Sequence, residues 1–331
     1  MLSVIIVNYN SFSLVNDSLA SIRRFNPEKE FEFIVVNNSL DDSSQFKELA
    51  DQVILHQMPY NAGFSRANNT GMKLASGDAF LLLNPDTLAI DDSVSRCYNR
   101  LMASRFAAAG VQLLNEQQEP QISGNFFVKG GLNHLLPIPY WGGLVRWLGY
   151  RTGSKIPNVK EAVSEEPVDW ISGAFLMVKR KAVEQAGPMD EDFFLYAEEV
   201  EWCSRLGQAG PLCIFGDLHM IHLEGASINK DQQLEEKGYY NLYDRKGLQL
   251  MVSNHLRVRK QYGVAWFLFL LLNYTWGVFF FFLSAGIFSL FKLRSPLPEW
   301  RKVRAFGKNV ARLWSLAPRI ISGQPYFYKM F

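Results

Sequence analysis

Three short apolar runs constrain the fold most. Leu2-Ser3-Val4-Ile5-Ile6-Val7, Phe33-Ile34-Val35-Val36 and Ala79-Phe80-Leu81-Leu82-Leu83 each stop at asparagine, in Asn8-Tyr9-Asn10, Asn37-Asn38-Ser39 and Asn84-Pro85-Asp86-Thr87. Runs this short and unbroken read as strands buried on both faces. Between them lie a helical pattern through Leu14, Leu19 and Ile22, closed near Asn26-Pro27, a short strand at Val53-Ile54-Leu55 and a helix over Ser65 to Ala75. That β-α-β-α-β order predicts a largely parallel sheet with helices on its faces. Pro85 has no amide hydrogen for a ladder, so the strand before it ends there. Asp86 is left at the carboxyl end of a strand, where open α/β sheets bind their ligands.

With 331 residues, the chain can form one large domain plus an appendage. Its 20% charged and 14% aromatic residues exclude a disordered composition. Cys97, Cys203 and Cys213 show no metal-ligand spacing and read as reduced, buried thiols. Met1 leads straight into a strand pattern, with no signal-peptide pattern, so the body is expected in the cytoplasm. Residues 129 to 166, rich in Gly, Pro and aromatics, read as a long loop. Strand signals return at Val168 to Val178 and Leu212 to Phe215, with a helix opening on acids from Phe193 to Leu206.

The character changes at Val264. From there to Phe291, 28 residues carry no charge, beyond the usual length of a transmembrane segment. Arg257, Arg259 and Lys260 precede the stretch, and nine Lys/Arg against the single acid Glu299 follow it. A single span would push one basic flank across the membrane, against the positive-inside bias. A hairpin broken near Asn273 to Gly277 or Ser284 to Gly286, or a monotopic anchor, keeps both flanks in the cytoplasm. A buried core helix is the alternative. The boundaries expected are a catalytic domain over 1–235, a helical linker over 236–263, the membrane-associated segment over 264–291 and a basic, aromatic interfacial tail over 292–331. Trp300, Phe306 and Trp314 among the cations favour a membrane interface over nucleic acid.

Two constellations carry chemistry. Asp86 and His222 can share a metal ion with diphosphate oxygens, although Asn-Pro-Asp-Thr is also ordinary turn chemistry and a lone histidine is often structural. In Phe193-Phe194-Leu195-Tyr196-Ala197-Glu198-Glu199-Val200-Glu201-Trp202, acids are set among aromatics, which removes solvation and suits a general base. Glu198 and Glu201 share one helix face, and Glu199 points elsewhere.

The ordered set Ser3 to Asn10, Val35 to Ser39, Asn61-Ala62-Gly63-Phe64, Asn84-Pro85-Asp86, Gly173-Ala174-Phe175, Glu198-Glu199 and His222 resembles the family 2 glycosyltransferases over residues 1 to 230. These are inverting enzymes with a GT-A fold, and the chain looks most like the rhamnosyltransferase branch that builds bacterial O-antigens and cell-wall glycans. The resemblance implies a mostly parallel GT-A sheet. It implies a donor site of Asn8, Asn10, Asn37, Asp42, Asn61, Gly63, Asn69, Asn84 and Asp86, with Arg66 near a phosphate. It places Glu199 as catalytic base, Trp170, Gly173, Ala174 and Glu198 on the acceptor side, and Asp86 with His222 at a divalent cation, Mg²⁺ or Mn²⁺. The implied partners are a nucleotide-diphospho-sugar, for which dTDP-rhamnose is expected, a lipid-linked saccharide acceptor and an anionic membrane surface. The expected location is the cytoplasmic face of the bacterial inner membrane. Four positions depart from the family's pattern: Asn37 and Glu199 stand where Asp is usual, Ser43 where Gly is usual, and Asn84 where an acid is common. Other hexosyl or galactofuranosyl transfer, or an inactive membrane-tethered relative, is the alternative.

A nicotinamide dehydrogenase is disfavoured, because no Gly-x-Gly-x-x-Gly follows the first strand. A processive synthase of the same family would carry a Gln-x-x-Arg-Trp motif and several spans, and neither is present in the sequence.

Overall fold

The computed structural model describes residues 1–27, 31–40, 44–49, 51–127, 129–151, 159–223 and 242–330. They form two compact units. Within the described residues, the first takes in 1–126, 159–194 and 198–223, the second 127–151, 195–197 and 242–330.

The first unit is built on strands β1 (Leu2–Asn8), β2 (Phe31–Asn37), β3 (Ile54–Gln57), β4 (Ala79–Leu83), β5 (Thr87–Ala89), β6 (Ala108–Leu114), β7 (Gly124–Asn125), β8 (Glu165–Val168), β9 (Trp170–Ile171), β10 (Phe175–Lys179) and β11 (Leu212–His222). The main sheet runs β3-β2-β1-β4-β10-β6-β11-β5, with β8 also paired to β11. The quartet β3-β2-β1-β4 is parallel, as the alternating pattern predicts. β10 enters antiparallel between β4 and β6.

Leu2, Val4 and Ile6 fall in one apolar layer with Ala79, Leu81 and Leu83, while Ile5 lies in the other with Phe80 and Leu82. Strands sandwiched this way have no solvent face, which is why they read as continuous apolar runs. Helices α1 (Phe12–Phe25), α2 (Gly63–Leu74), α3 (Ser93–Ala103), α5 (Arg180–Ala186) and α6 (Glu198–Ala209) complete the unit, α4 being Trp141–Arg151 in the second. All three cysteines are buried free thiols.

β1 lies between β2 and β4, so the chain reverses its direction across the sheet after β3. Asn8 is level with Asn37, and Asn37 with Gln57. The carboxyl ends of β1 and β4 therefore flank a topological switch point, the usual crevice for ligands in such sheets.

The second unit is helical: a 3₁₀ turn over Lys129–Leu135, α4, α7 (Arg245–Tyr262), α8 (Val264–Phe291) and α9 (Leu297–Ser322). Residues 129–151, expected as loop, are thus mostly helical, and Leu135 and Ile138 are buried. The boundary expected at 235/236 lies outside the described residues. The segment expected as a linker holds α7, whose Met251, Val252, Leu256 and Val258 are core residues.

α8 is one unbroken helix, so the hairpin break expected inside 264–291 is absent. Its polar residues bond back within the helix: Asn273 Nδ2 donates to Phe269 O at 2.8 Å, and Thr275 Oγ1 to Leu271 O at 2.9 Å. Among the described residues it is the one helix long and apolar enough to cross a membrane.

Candidate active site

Three groups of side chains gather at the carboxyl ends of the strands. The first is an amide network. Asn8 Nδ2 donates to Asn37 Oδ1 at 2.7 Å, and Asn8 Oδ1 accepts from the Ser11 amide and hydroxyl, both at 3.0 Å. Asn37 Nδ2 donates to Gln57 Oε1 at 2.8 Å, and Ser39 Oγ donates to Asn10. Asn38 fixes the next loop: it donates to Asn61 Oδ1 at 3.1 Å and accepts from the Ala62 amide at 2.8 Å.

Gly63 opens α2 at φ +74°, and a Cβ there would stand 2.3 Å from Phe194 O. Only glycine fits, and the Phe64 amide then donates to that same oxygen at 2.8 Å. Asn69 clamps the Met189 backbone from both sides, donating at 2.9 Å and accepting at 3.0 Å. The Arg66 guanidinium donates to Glu191 O and Tyr60 Oη, both at 3.2 Å. Asp42 lies outside the described residues.

The second group joins β4 to β11. β5, just beyond Asp86, pairs with the end of β11, Thr87 opposite His222. His222 Nε2 lies 3.5 Å from Asp86 Oδ1, so residues 136 positions apart close to one contact. Gln121, unsuspected from sequence, decides the chemistry. Its Nε2 donates to His222 O at 3.1 Å, leaving Oε1 to face His222 Nδ1 at 3.0 Å. That amide orientation places an imidazole proton on Nδ1, and in the neutral ring Nε2 then keeps a lone pair toward Asp86.

Asp86 is 2% exposed, and its Oδ1 has no hydrogen-bond partner among the described residues. Two electron-pair donors 3.5 Å apart, one of them a buried orphan oxygen, suit a cation between them. Among the described residues no third His, Cys, Asp or Glu joins them, so further oxygens would come from substrate and water.

The third group surrounds α6. Tyr196 and Ala197 hold φ at +71° and +66°, which ends the extended approach and delays the helix from the expected Phe193 to Glu198. Glu198 is 3% exposed, and its Oε2 has no hydrogen-bond partner among the described residues. Burial, reinforced by neighbouring Glu199, holds its acid well above the ordinary value. Glu201 is occupied by a two-pronged ion pair with Arg205, both contacts at 2.8 Å.

Glu199 is the half-buried member of the three, and its Cβ and Cγ lie 3.7 Å from the Cβ direction of Gly173, beside Phe64 at 3.6 Å. Asn84 N donates to Ala174 O at 3.1 Å, tying this turn to the end of β4. Trp170, expected on the acceptor side, packs against the apolar layer around Ile171 and Ile214.

A mixed sheet with polar side chains gathered at the switch point is a GT-A-type α/β fold. Residues 3–126 match the family described as Glycosyl transferase family 2. The chain is 27% identical over 215 residues to the low-salt glycan biosynthesis hexosyltransferase Agl10 of Haloferax volcanii, covering 62% of this chain and 61% of that one. It is 34% identical over 105 residues to the N-acetylglucosaminyl-diphospho-decaprenol L-rhamnosyltransferase of Mycobacterium tuberculosis, covering 31% of this chain and 32% of that one. The chain thus spans less than two thirds of the length of either relative. The fold is shared with the Pyrobaculum calidifontis mannosyltransferase PcManGT, solved with GDP-Man and Mn²⁺, at TM-score 0.53 and 15% identity over 95% of this chain and 87% of that one.

Proposed function

We propose that this chain is an inverting glycosyltransferase that moves one sugar from a nucleoside diphosphate to a hydroxyl of a lipid-linked saccharide. We assign L-rhamnose as the sugar and dTDP-rhamnose as the donor, at the cytoplasmic face of a bacterial inner membrane. The carrying observation is the Asp86–His222 pair, oriented by Gln121 at the end of β4. The family 2 match supports the reaction class. The decaprenol-linked rhamnosyltransferase relative supports both the sugar and the carrier. A second reading, transfer of another hexose, has support from the relative named hexosyltransferase.

Asp86 and His222 would hold Mg²⁺ or Mn²⁺, which when bound neutralises charge on the departing diphosphate. The Asn8–Asn37–Gln57 network presents amides where the nucleotide base would lie, and their preset bonds spare ordering cost on binding. Glu198 is buried, with its acid held above the ordinary value, and this leaves Glu199 to accept the proton of the acceptor hydroxyl as that oxygen attacks the anomeric carbon from the face opposite the diphosphate. One direct displacement inverts the configuration.

Glu199→Gln should abolish transfer to a polyprenyl-diphosphate saccharide and leave donor binding, followed by calorimetry, within about twofold. Near-normal turnover would remove Glu199 from the role. A thermal-shift comparison of dTDP-rhamnose, UDP-galactofuranose and UDP-glucose with Mn²⁺ separates the two donor readings, since the true donor stabilises by mass action. No shift with any sugar nucleotide would favour an inactive relative.

A further inference from the structure

We propose that α8 and α9 lie together in the plane of an anionic bilayer surface, α8 dipping one apolar stripe into the acyl boundary while α9 meets lipid phosphates. This deepens the lipid-linked acceptor reading within the second unit. It is read out by vesicle binding alone, so its failure is separate from a failure of the transfer chemistry.

The first observation is a stripe. Phe269, Leu272, Trp276, Phe279, Leu283 and Ile287 recur at intervals of three and four and are each exposed, Trp276 at 64%. They form one continuous face of α8. The opposite face, with Leu270, Tyr274, Gly277, Phe281 and Ala285, is buried within the unit. A stripe of this length, rich in Trp and Phe, is an interaction surface rather than scattered apolar exposure.

The second observation excludes a span. α9 runs antiparallel along α8: Trp300 stacks on Phe282 at 5.2 Å, Phe306 meets Phe281 at 6.5 Å and Tyr274 at 6.1 Å, and Trp314 Nε1 donates to Thr275 Oγ1 at 2.9 Å. Phe306 is therefore level with the middle of α8. Arg304 and Lys308 flank it and are exposed, as are Arg301 and Arg312. If α8 crossed a bilayer, these cations would be carried to its centre, where charge is least tolerated. Lying flat lets α8 bury its stripe and keeps the cations of α9 at headgroup depth, where they match anionic lipid.

The test uses the full-length protein and flotation with vesicles of phosphatidylcholine, with and without phosphatidylglycerol. Binding should need the anionic lipid and weaken with salt. Arg304→Gln with Lys308→Gln should weaken partitioning by about fivefold per cation. Trp276→Ser with Leu283→Ser should abolish it, with the unfolding midpoint kept to show that the fold survives. Cysteines placed at Ala265 and Leu290, near the two ends of α8, should both react with an impermeant maleimide in inverted inner-membrane vesicles and neither in intact cells. Reaction of one end only from the outside would establish a span and overturn the proposal. So would equal binding to neutral vesicles, or a stripe variant that dissociates a dimer while leaving flotation unchanged.

Discussion

Glu198 and Glu199 are adjacent in sequence and differ in surroundings. The acid of Glu198 is held above its ordinary 4.5, first by burial and then by Glu199. Unfolding returns it to water, so between 4.5 and the raised value the folded chain binds the extra proton. Stability contributed at this position is therefore full below 4.5 and falls as pH rises through that window. Glu198→Gln removes the slope: relative to the parent, the variant should gain up to about 1.4 kcal/mol per pH unit across the window, seen in urea midpoints against pH. Parallel curves would assign no such burden to Glu198. Gln121 has a separate effect, since it fixes the tautomer of His222. Gln121→Leu should lower Mn²⁺ affinity by about 10–100-fold, measured by titration, and an unchanged affinity would take His222 out of metal binding.

At the scale of elements, the parallel quartet was legible because its strands are buried on both faces and end at asparagines. The start of α6 was not, because the left-handed backbone at Tyr196 and Ala197 is imposed on residues that do not favour it. α3 and β6 carried weaker patterns: α3 is a polar-rich helix, and β6 begins with Ala108-Ala109-Gly110. α8 reads as membrane helix by composition, yet part of its surface is packed against α9 through Phe306, which is fully buried. Phe306→Ala should therefore cost about 3–5 kcal/mol, measured by denaturant unfolding of the second unit's signal. A loss below 1 kcal/mol, roughly that of a surface change, would mean the helix pair is not packed as described.

For the whole molecule, chain order and compact units do not coincide. Residues 127–151 belong with the C-terminal helices. Tyr274 Oη donates to His134 O at 2.9 Å, and Ile138 lies so close to Gly277 that a Cβ there would be 2.4 Å from it. Removing residues 242–331 should therefore strip cover from Leu135 and Ile138 and give an insoluble or dye-binding protein. A soluble, dye-silent fragment 1–241 would show that 127–151 packs without those helices.

The sequence by itself determined the strand ends, the alternation that builds the parallel quartet and the apolar run that becomes α8, because each follows from periodicity and from where a ladder must stop. It also marked Asp86, His222 and the Glu198-Glu199 pair by residue type. Only the tertiary structure decided that Asp86 and His222 meet, that Gln121 holds the imidazole nitrogen turned away from Asp86, that Glu198 rather than Glu199 is the sealed acid, and that α8 is continuous. Those outcomes depend on contacts between residues far apart in the chain and on solvent exclusion, neither of which a local pattern encodes.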